Sequence, residues 1–158
     1  MKIRDFMIDD VIYVTKDESI RSLLKKLVEY KIGGVPVIDH EQKLIGVVSD
    51  GDVLRAITPK EQTIYDFYSL VIRLEKQDLG HKVKELMDDS VDKIMTKRKI
   101  HYVYPDDDFE QVLTILSKHH FKKIPVIDRA DKIVGVVSRG DVIRHISQQI
   151  IKNEQGLE

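Results

Sequence analysis

The alternation of apolar and polar residues along the first sixty positions predicts two kinds of element. Three short runs of apolar, mostly β-branched residues are typical of strands: residues 11–14, 35–38 and 44–48. Between the first two runs, apolar residues recur at helical spacing from Ile20 to Leu27, and Gly33 and Gly34 follow as helix-ending residues. A second helix is predicted over residues 50–57, so the order is strand–helix–strand–strand–helix.

The same order of elements returns in the second half of the chain. A strand is predicted over residues 100–104, a helix from Phe109, and a further strand over residues 124–127. At an offset of 89 positions, residues 35–55 and 124–144 are identical at 13 of 21 positions. Units this small cannot bury their apolar faces alone, so repetition dictates the architecture. We therefore predict an α/β (α+β) fold in which two repeats pack on each other with pseudo-two-fold symmetry.

The repeats divide the chain into four predicted parts. Residues 1–58 form the first repeat, 59–90 a helical insertion without a counterpart, 91–150 the second repeat, and 151–158 a polar, frayed tail. Within the insertion, apolar residues have helical spacing at Ile64, Phe67, Val71 and Leu74, and again at Leu79, Val83 and Leu86. Such an insertion covers a face of its own domain or, alternatively, offers a dimerisation or partner surface.

Composition and charge exclude several classes of protein. The formal net charge is −1, which argues against a protein that holds nucleic acid by bulk charge. The chain has no Cys, so it has no disulfide, thiol nucleophile or cysteine metal site. Its apolar runs are too short for a membrane span, and the N-terminus lacks the apolar core of a signal peptide. We expect a soluble cytoplasmic protein without a membrane partner.

A strand that runs into Ser and then, three residues later, into Asp occurs once in each repeat. The pairs are Ser49 with Asp52 and Ser138 with Asp141. One interpretation is structural, because Ser followed by an acid at this distance caps a helix N-terminus. The other interpretation adds a ligand: a helix N-terminus favours phosphate, and an adjacent Asp can accept both hydroxyls of a ribose. The duplication favours the second interpretation.

The repeats resemble CBS domains, and the chain resembles a stand-alone pair of them, a Bateman module. The resemblance is carried by Ile-Met-Thr at 94–96 with its weaker counterpart at 6–8, by the strands Gly-Val-Pro-Val-Ile-Asp and Lys-Ile-Pro-Val-Ile-Asp, and by both Gly-Val-Val-Ser-x-Gly-Asp-Val motifs. It implies a non-catalytic regulatory module with two clefts between the repeats. It also implies an adenosine ligand such as AMP, ADP or ATP, no obligatory cofactor, a homodimer formed through the helices, and an unidentified downstream partner.

The resemblance also implies roles for particular residues. Asp52 and Asp141 would hold ribose, with Ser49 and Ser138 near ribose or phosphate. The residues two and three places before each strand proline would contact phosphate from the opposite repeat. The resulting nucleotide-binding set is Asp52, Asp141, Ser49, Ser138, Arg139, Lys122, Lys123, Gly33, Gly34, Pro36 and Pro125.

These positions differ between the repeats, and the two clefts are therefore predicted to differ. Asp52 would share its cleft with Lys122 and Lys123, which makes it the tighter phosphate site. Asp141 would face Gly33 and Gly34, with Arg139 as the nearest cation. The prolines would shape their strands and line the adenine pocket with backbone groups.

Other function classes are less compatible with the sequence. An enzyme is disfavoured because the repeats and the insertion use up the chain, and no catalytic triad or Walker-type loop is present. A sensor of S-adenosylmethionine or of a dinucleotide is the alternative, and a nucleic-acid-associated regulator has less support. No metal site is expected, because the adjacent His119 and His120 would diverge on a helix.

Overall fold

The computed structural model describes residues 1–58, 79–119 and 121–156. The predicted apolar stripe from Ile64 to Leu74 and the side chain of His120 lie outside these ranges. The first repeat comprises β1 (Val14–Thr15), α1 (Ile20–Tyr30), β2 (Gly34–Ile38), β3 (Leu44–Ser49) and α2 (Asp50–Ile57). After α3 (Leu79–Asp88), the second repeat comprises α4 (Phe109–Lys118), β4 (Lys123–Ile127), β5 (Ile133–Ser138) and α5 (Arg139–Glu154).

Each repeat is built on an antiparallel strand pair, β2 with β3 and β4 with β5. In the first repeat, β1 adds a parallel third strand, pairing Val14 with Val37 and Thr15 with Ile38. Pro36 is tolerated within β2 because β1 does not extend as far as this position, so the missing N–H costs no ladder bond. The register of β2 against β3 shifts one residue beyond the proline, between Val37 and Ile38.

Two predicted strands are shorter than the sequence indicated. The strand predicted over 11–14 is β1, which has only two residues. The strand predicted over 100–104 is a single parallel bridge between Val103 and Val126. The backbone turns at Lys99, whose φ of 54° is a left-handed value, and His101 then lines a groove between the repeats. Residues 99–101 therefore line the groove instead of pairing with a strand.

The repeats exchange the segments that precede their first strands. A short 3-10 helix, Ile3–Asp5, places the fully buried Ile3 in the core of the second repeat, where it packs with Val103 and Val112. Reciprocally, the 3-10 helix Val91–Lys93 places the fully buried Val91 in the core of the first repeat. Each hydrophobic core is therefore completed by a segment from the other half of the chain.

Two glycines of the repeated motif allow this exchange. A Cβ atom at Gly46 would lie 2.9 Å from the backbone oxygen of Thr96, and one at Gly135 would lie 2.7 Å from Sδ of Met7. Backbone bonds cross at the same places: the N–H of Val47 donates to the oxygen of Thr96 at 3.1 Å. Glycine is needed here because the exchanged segments pass directly over β3 and β5.

Two further parts of the chain can be compared with the predictions, the insertion and the C-terminal helix. Leu86 and Met87 of α3 pack against the core of the first repeat, as the interpretation of the insertion as a cover predicts for its described part. The C-terminal helix is longer than predicted, since α5 continues through Glu154 instead of fraying after residue 150. Among the described residues, none of the helices is long and apolar enough to cross a membrane.

Candidate functional site

A groove of about 420 Å³ lies between the two repeats. The first repeat contributes the start of β2, the end of β3 and the first turn of α2. The second repeat contributes residues 99–101, residues 121–123 and Pro125. Pro36 lines the groove as well, so both strand prolines border it. The walls combine apolar strand residues with charged side chains, which is the usual character of a small-molecule site.

Asp52 lies at the N-terminus of α2 on the wall of this groove. Its Oδ2 accepts hydrogen bonds from the backbone N–H of Ser49 at 2.9 Å and from the Ser49 hydroxyl at 3.2 Å. Its Oδ1 accepts a bond from Arg55 Nη2 at 2.7 Å. The structural interpretation of the motif, a helix cap, is therefore confirmed. The Arg55 side chain is 73% exposed, so this oxygen is held only by a solvated partner.

The second copy of the motif has the same geometry. Asp141 Oδ2 accepts the N–H of Ser138 at 2.9 Å and the Ser138 hydroxyl, and Oδ1 pairs with Arg144. Arg144 corresponds to Arg55 in the repeat alignment. Ser138 and Asp141 do not line the 420 Å³ groove, which belongs to the Asp52 motif.

The two lysines predicted to bind phosphate enter the groove from the second repeat. Lys122 Nζ lies 3.8 Å from the position that a Cβ atom would take at Gly33, so this lysine reaches across to the first repeat. Lys123 is half-buried, and desolvation by burial lowers its pKa below the ordinary value of 10.5, while the nearby Asp141 carboxylate opposes the shift. Lys123 therefore lines the Asp52 groove and also lies near Asp141 of its own repeat.

Two of the predicted positions differ from expectation. Gly33 and Gly34 were expected beside Asp141, but they line the Asp52 groove, because Gly34 pairs with Ser49 across the strands of its own repeat. Arg139 was expected to serve Asp141 as a cation. Its guanidinium instead donates to the backbone oxygens of Phe121 at 2.8 Å and His119 at 3.0 Å. These bonds hold the end of α4 and direct the side chain away from a phosphate role.

A family model described as the CBS domain matches residues 3–59 and 83–148, once for each repeat and together over more than half of the chain. The chain belongs to the CBS-domain family. The fold and the duplication agree with this membership. The resemblance inferred from the sequence is thereby confirmed.

Similar proteins come from archaea and plants. The uncharacterised protein MJ1426 of Methanocaldococcus jannaschii is 26% identical over 151 residues, covering 90% of this chain and 89% of its own length. The chloroplastic CBS domain-containing protein CBSX2 of Arabidopsis thaliana is 31% identical over 145 residues. That match covers 89% of this chain but 60% of CBSX2. The chain thus spans most of one relative and about three fifths of the other.

Solved CBS structures share the fold of this chain. CBSX2 in complex with AMP superposes with a TM-score of 0.70 at 30% identity, covering 93% of this chain and 96% of that one. The CBS pair of MJ0100, in complex with 5'-methylthioadenosine and S-adenosylmethionine, superposes with a TM-score of 0.69 at 20% identity, covering 94% and 98%. The second likeness is evidence of fold alone.

Several residues of this CBS groove were missed by sequence reasoning. Arg55 carried a signal, since it is identical to its repeat counterpart Arg144 and lies three residues after Asp52 on one helix face. Asp50 carried a weaker signal, because the residue aligned with it in the second repeat is the oppositely charged Arg139. His101 and Phe121, whose ring centroids are 4.9 Å apart, carried none. They reach the groove through chain turns that no periodicity reveals.

Proposed function

We propose that this CBS protein is a non-catalytic regulatory module that binds a phosphorylated adenosine, such as AMP, in the groove beside Asp52. The observation that carries the proposal is the combination, in one cavity of about 420 Å³, of a helix N-terminus with its Asp and two lysines from the opposite repeat. The AMP complex of CBSX2, at 30% identity, supports the same ligand class.

Each part of such a ligand has a suitable partner in the groove. The ribose hydroxyls would bond to Asp52 Oδ1, displacing the exposed Arg55, while Oδ2 stays fixed by Ser49. The phosphate would approach Lys122 and Lys123, whose ammonium groups form charge-assisted hydrogen bonds. The base would lie against the apolar part of the wall near Phe121.

The charge of the groove favours a phosphorylated ligand over S-adenosylmethionine. Its basic residues are Arg55, Lys99, Lys122 and Lys123, and its acidic residues are Asp50 and Asp52, so the lining sums to +2 (+4 and −2) with His101 neutral. A net positive wall attracts phosphate and repels the sulfonium of S-adenosylmethionine. The likeness to the MJ0100 complex makes that compound the appropriate competitor to test.

Regulation would follow from the position of the groove. Because both repeats contribute walls, a bound ligand links them and stabilises one arrangement of the two halves over others. A ligand shifts such an equilibrium by its difference in affinity for the two arrangements. An unidentified downstream protein would respond to that shift.

Calorimetric titration with AMP tests the proposal, with Asp52→Asn as the variant and Asp141→Asn as its matched control. Both substitutions alter the same type of helix cap, but only Asp52 lines the groove. We expect Asp52→Asn to weaken AMP binding about tenfold to a hundredfold, because a charged hydrogen bond is lost. The control should bind within about threefold of the unsubstituted protein.

Two results would contradict the proposal. One is an affinity that depends on Asp141 and not on Asp52, which would reverse the assignment of the site. The other is sustained hydrolysis of AMP, ADP or ATP by the purified protein, which would indicate an enzyme. A thermal-shift measurement gives an independent check, since AMP at a hundred times its dissociation constant should stabilise the fold by about 2.7 kcal/mol.

The homodimer implied by family resemblance stays a prediction. Leu54 on α2 and Ile143 on α5 are repeat-equivalent and 65% and 61% exposed, which supports an apolar contact made by these helices.

A further inference from the structure

Asp50 occupies a position whose counterpart in the second repeat has the opposite charge. Its backbone N–H donates to the oxygen of Gly33 at 2.9 Å, and the N–H of the equivalent Arg139 donates to the oxygen of Lys122 at 3.1 Å. The backbone is therefore the same in both repeats, while the side chains are an acid in one and a base in the other. Only the acid lines the 420 Å³ groove.

The Asp50 carboxylate lies where an anion would meet the start of α2. Its Oδ1 accepts the backbone N–H of Gly51 at 2.7 Å, so it already uses one of the free donors of the helix N-terminus. Its Oδ2 lies 3.3 Å from the Cβ position of Gly33, and Lys122 Nζ lies 3.8 Å from the same position. The carboxylate thus faces the lysine that enters from the other repeat.

This arrangement has a consequence for the number of phosphates that the groove accepts. A first phosphate can be held by Lys122 and Lys123, but further phosphates would lie beside a fixed carboxylate that already neutralises part of the helix N-terminus. The Asp50 carboxylate is solvent-exposed, and like charges that lie side by side repel each other there as well, although water weakens the repulsion. We propose that Asp50 is a specificity-determining residue that restricts this groove to nucleoside monophosphates and rejects nucleoside triphosphates. The proposal rests on nucleotide binding at the Asp52 groove and adds the phosphate count.

The test compares AMP and ATP binding by calorimetry in the full chain, with EDTA present so that no divalent cation neutralises the triphosphate. Asp50→Asn is the variant, because it removes the charge and keeps an oxygen that can accept the Gly51 N–H. Glu41→Gln is the control, since it changes the net charge equally but alters an exposed turn residue paired with Lys43 outside the groove.

We expect the unsubstituted protein to bind AMP at least tenfold more tightly than ATP. Asp50→Asn should reduce this ratio about tenfold, mainly by tightening ATP binding, and Glu41→Gln should leave the ratio unchanged. Asp50→Ser, which keeps a residue suited to a helix start, replaces Asp50→Asn if that variant does not fold.

The outcomes separate this inference from the proposed function. If AMP binds but the ratio is the same in Asp50→Asn as in the unsubstituted protein, the role of Asp50 is refuted while nucleotide binding stands. If neither nucleotide binds the unsubstituted protein, both proposals fail together.

Discussion

At the scale of single residues, Lys123 combines a function with a cost in stability. The ammonium is half-buried at the start of β4, and burial lowers its pKa despite the attraction of Asp141. A base whose pKa is lower in the folded than in the unfolded state destabilises the fold at every pH at which it is charged. The proposed phosphate would compensate this unfavourable charge when the ligand is bound.

Replacing Lys123 by Met should therefore stabilise the ligand-free protein and weaken AMP binding at the same time. The stabilisation should be small, up to about 1 kcal/mol, because the half-buried ammonium is still partly solvated. The gain should be complete at neutral pH and decrease as the pH rises from the lowered pKa toward 10.5, since the lysine then becomes neutral in both states. Thermal unfolding at several pH values measures this change in the free energy of unfolding. The control is Lys122→Met at the exposed neighbouring position, which should change the free energy of unfolding by less than about 0.5 kcal/mol. Destabilisation by Lys123→Met would contradict this account.

At the scale of elements, the repeated Gly-Val-Val-Ser motif has two separate tasks. Its Ser begins the helix that borders the groove, whereas its first Gly lets the exchanged segment cross the strand. A Cβ atom at Gly46 would meet the backbone oxygen of Thr96 and, at 3.0 Å, Sδ of Met95. The motif therefore serves the packing between the repeats as well as the proposed ligand site.

Gly46→Ala should destabilise the protein by about 1–3 kcal/mol, because a backbone atom cannot move aside easily. Gly51→Ala is the matched control, since its Cβ atom would meet the flexible end of Arg55 at 3.2 Å and Ser49 Oγ at an ordinary contact distance of 3.5 Å. Alanine also favours the helix by roughly 0.5–1 kcal/mol, so the control should be neutral or slightly stabilising. A chain of this size changes its Tm by about 2–4 °C per kcal/mol, which differential scanning fluorimetry resolves. Equal Tm values for both variants would contradict the close approach.

The elements also indicate how far sequence reasoning reaches. Helices α1, α2 and α4 and the strand pairs were predictable, because apolar spacing and glycines mark them directly. The strand expected over residues 100–104 was wrong, since a β-branched run does not reveal whether a partner strand lies beside it. The exchange of residues 3–8 and 91–96 left no periodic signal, because it depends on contacts between residues far apart in the chain, from 49 positions (Val47 with Thr96) to 128 (Ile8 with Val136).

For the groove, the sequence indicated the residues of the repeated motif but not their charged neighbours. Ser49, Asp52, Lys122 and Lys123 were found, because duplication and family motifs mark them. Asp50 and Arg55 lie in the same turns and were passed over. Their importance depends on which side of α2 faces the other repeat, and this orientation is set by tertiary packing.

At the scale of the whole molecule, the exchange of segments makes the two repeats interdependent. The fully buried Ile3 belongs to the second core and the fully buried Val91 to the first. Backbone bonds add to this, as the N–H of Ile3 donates to Asp107 and the N–H of Val91 to Glu18. Neither core is complete without the other half.

Ile3→Ala should consequently cost about 2–5 kcal/mol, as expected for truncation of a buried isoleucine. Both repeats should still unfold in one cooperative transition. Residue-resolved hydrogen exchange measures whether both repeats lose protection together. The control is Ile150→Ala, which should have little effect because the Ile150 side chain is 53% exposed. Loss of protection in the second repeat alone would contradict the interdependence.

The exchanged segments also determine when the protein can fold during its synthesis. Ile3 leaves the ribosome about a hundred residues before Val103, beside which it is finally buried. At a translation rate of roughly 5–20 residues per second, this delay amounts to about 5–20 s. During that time the first repeat also lacks Val91 and exposes the gap in its core, so the nascent chain presents an apolar surface to chaperones until the second half has been made.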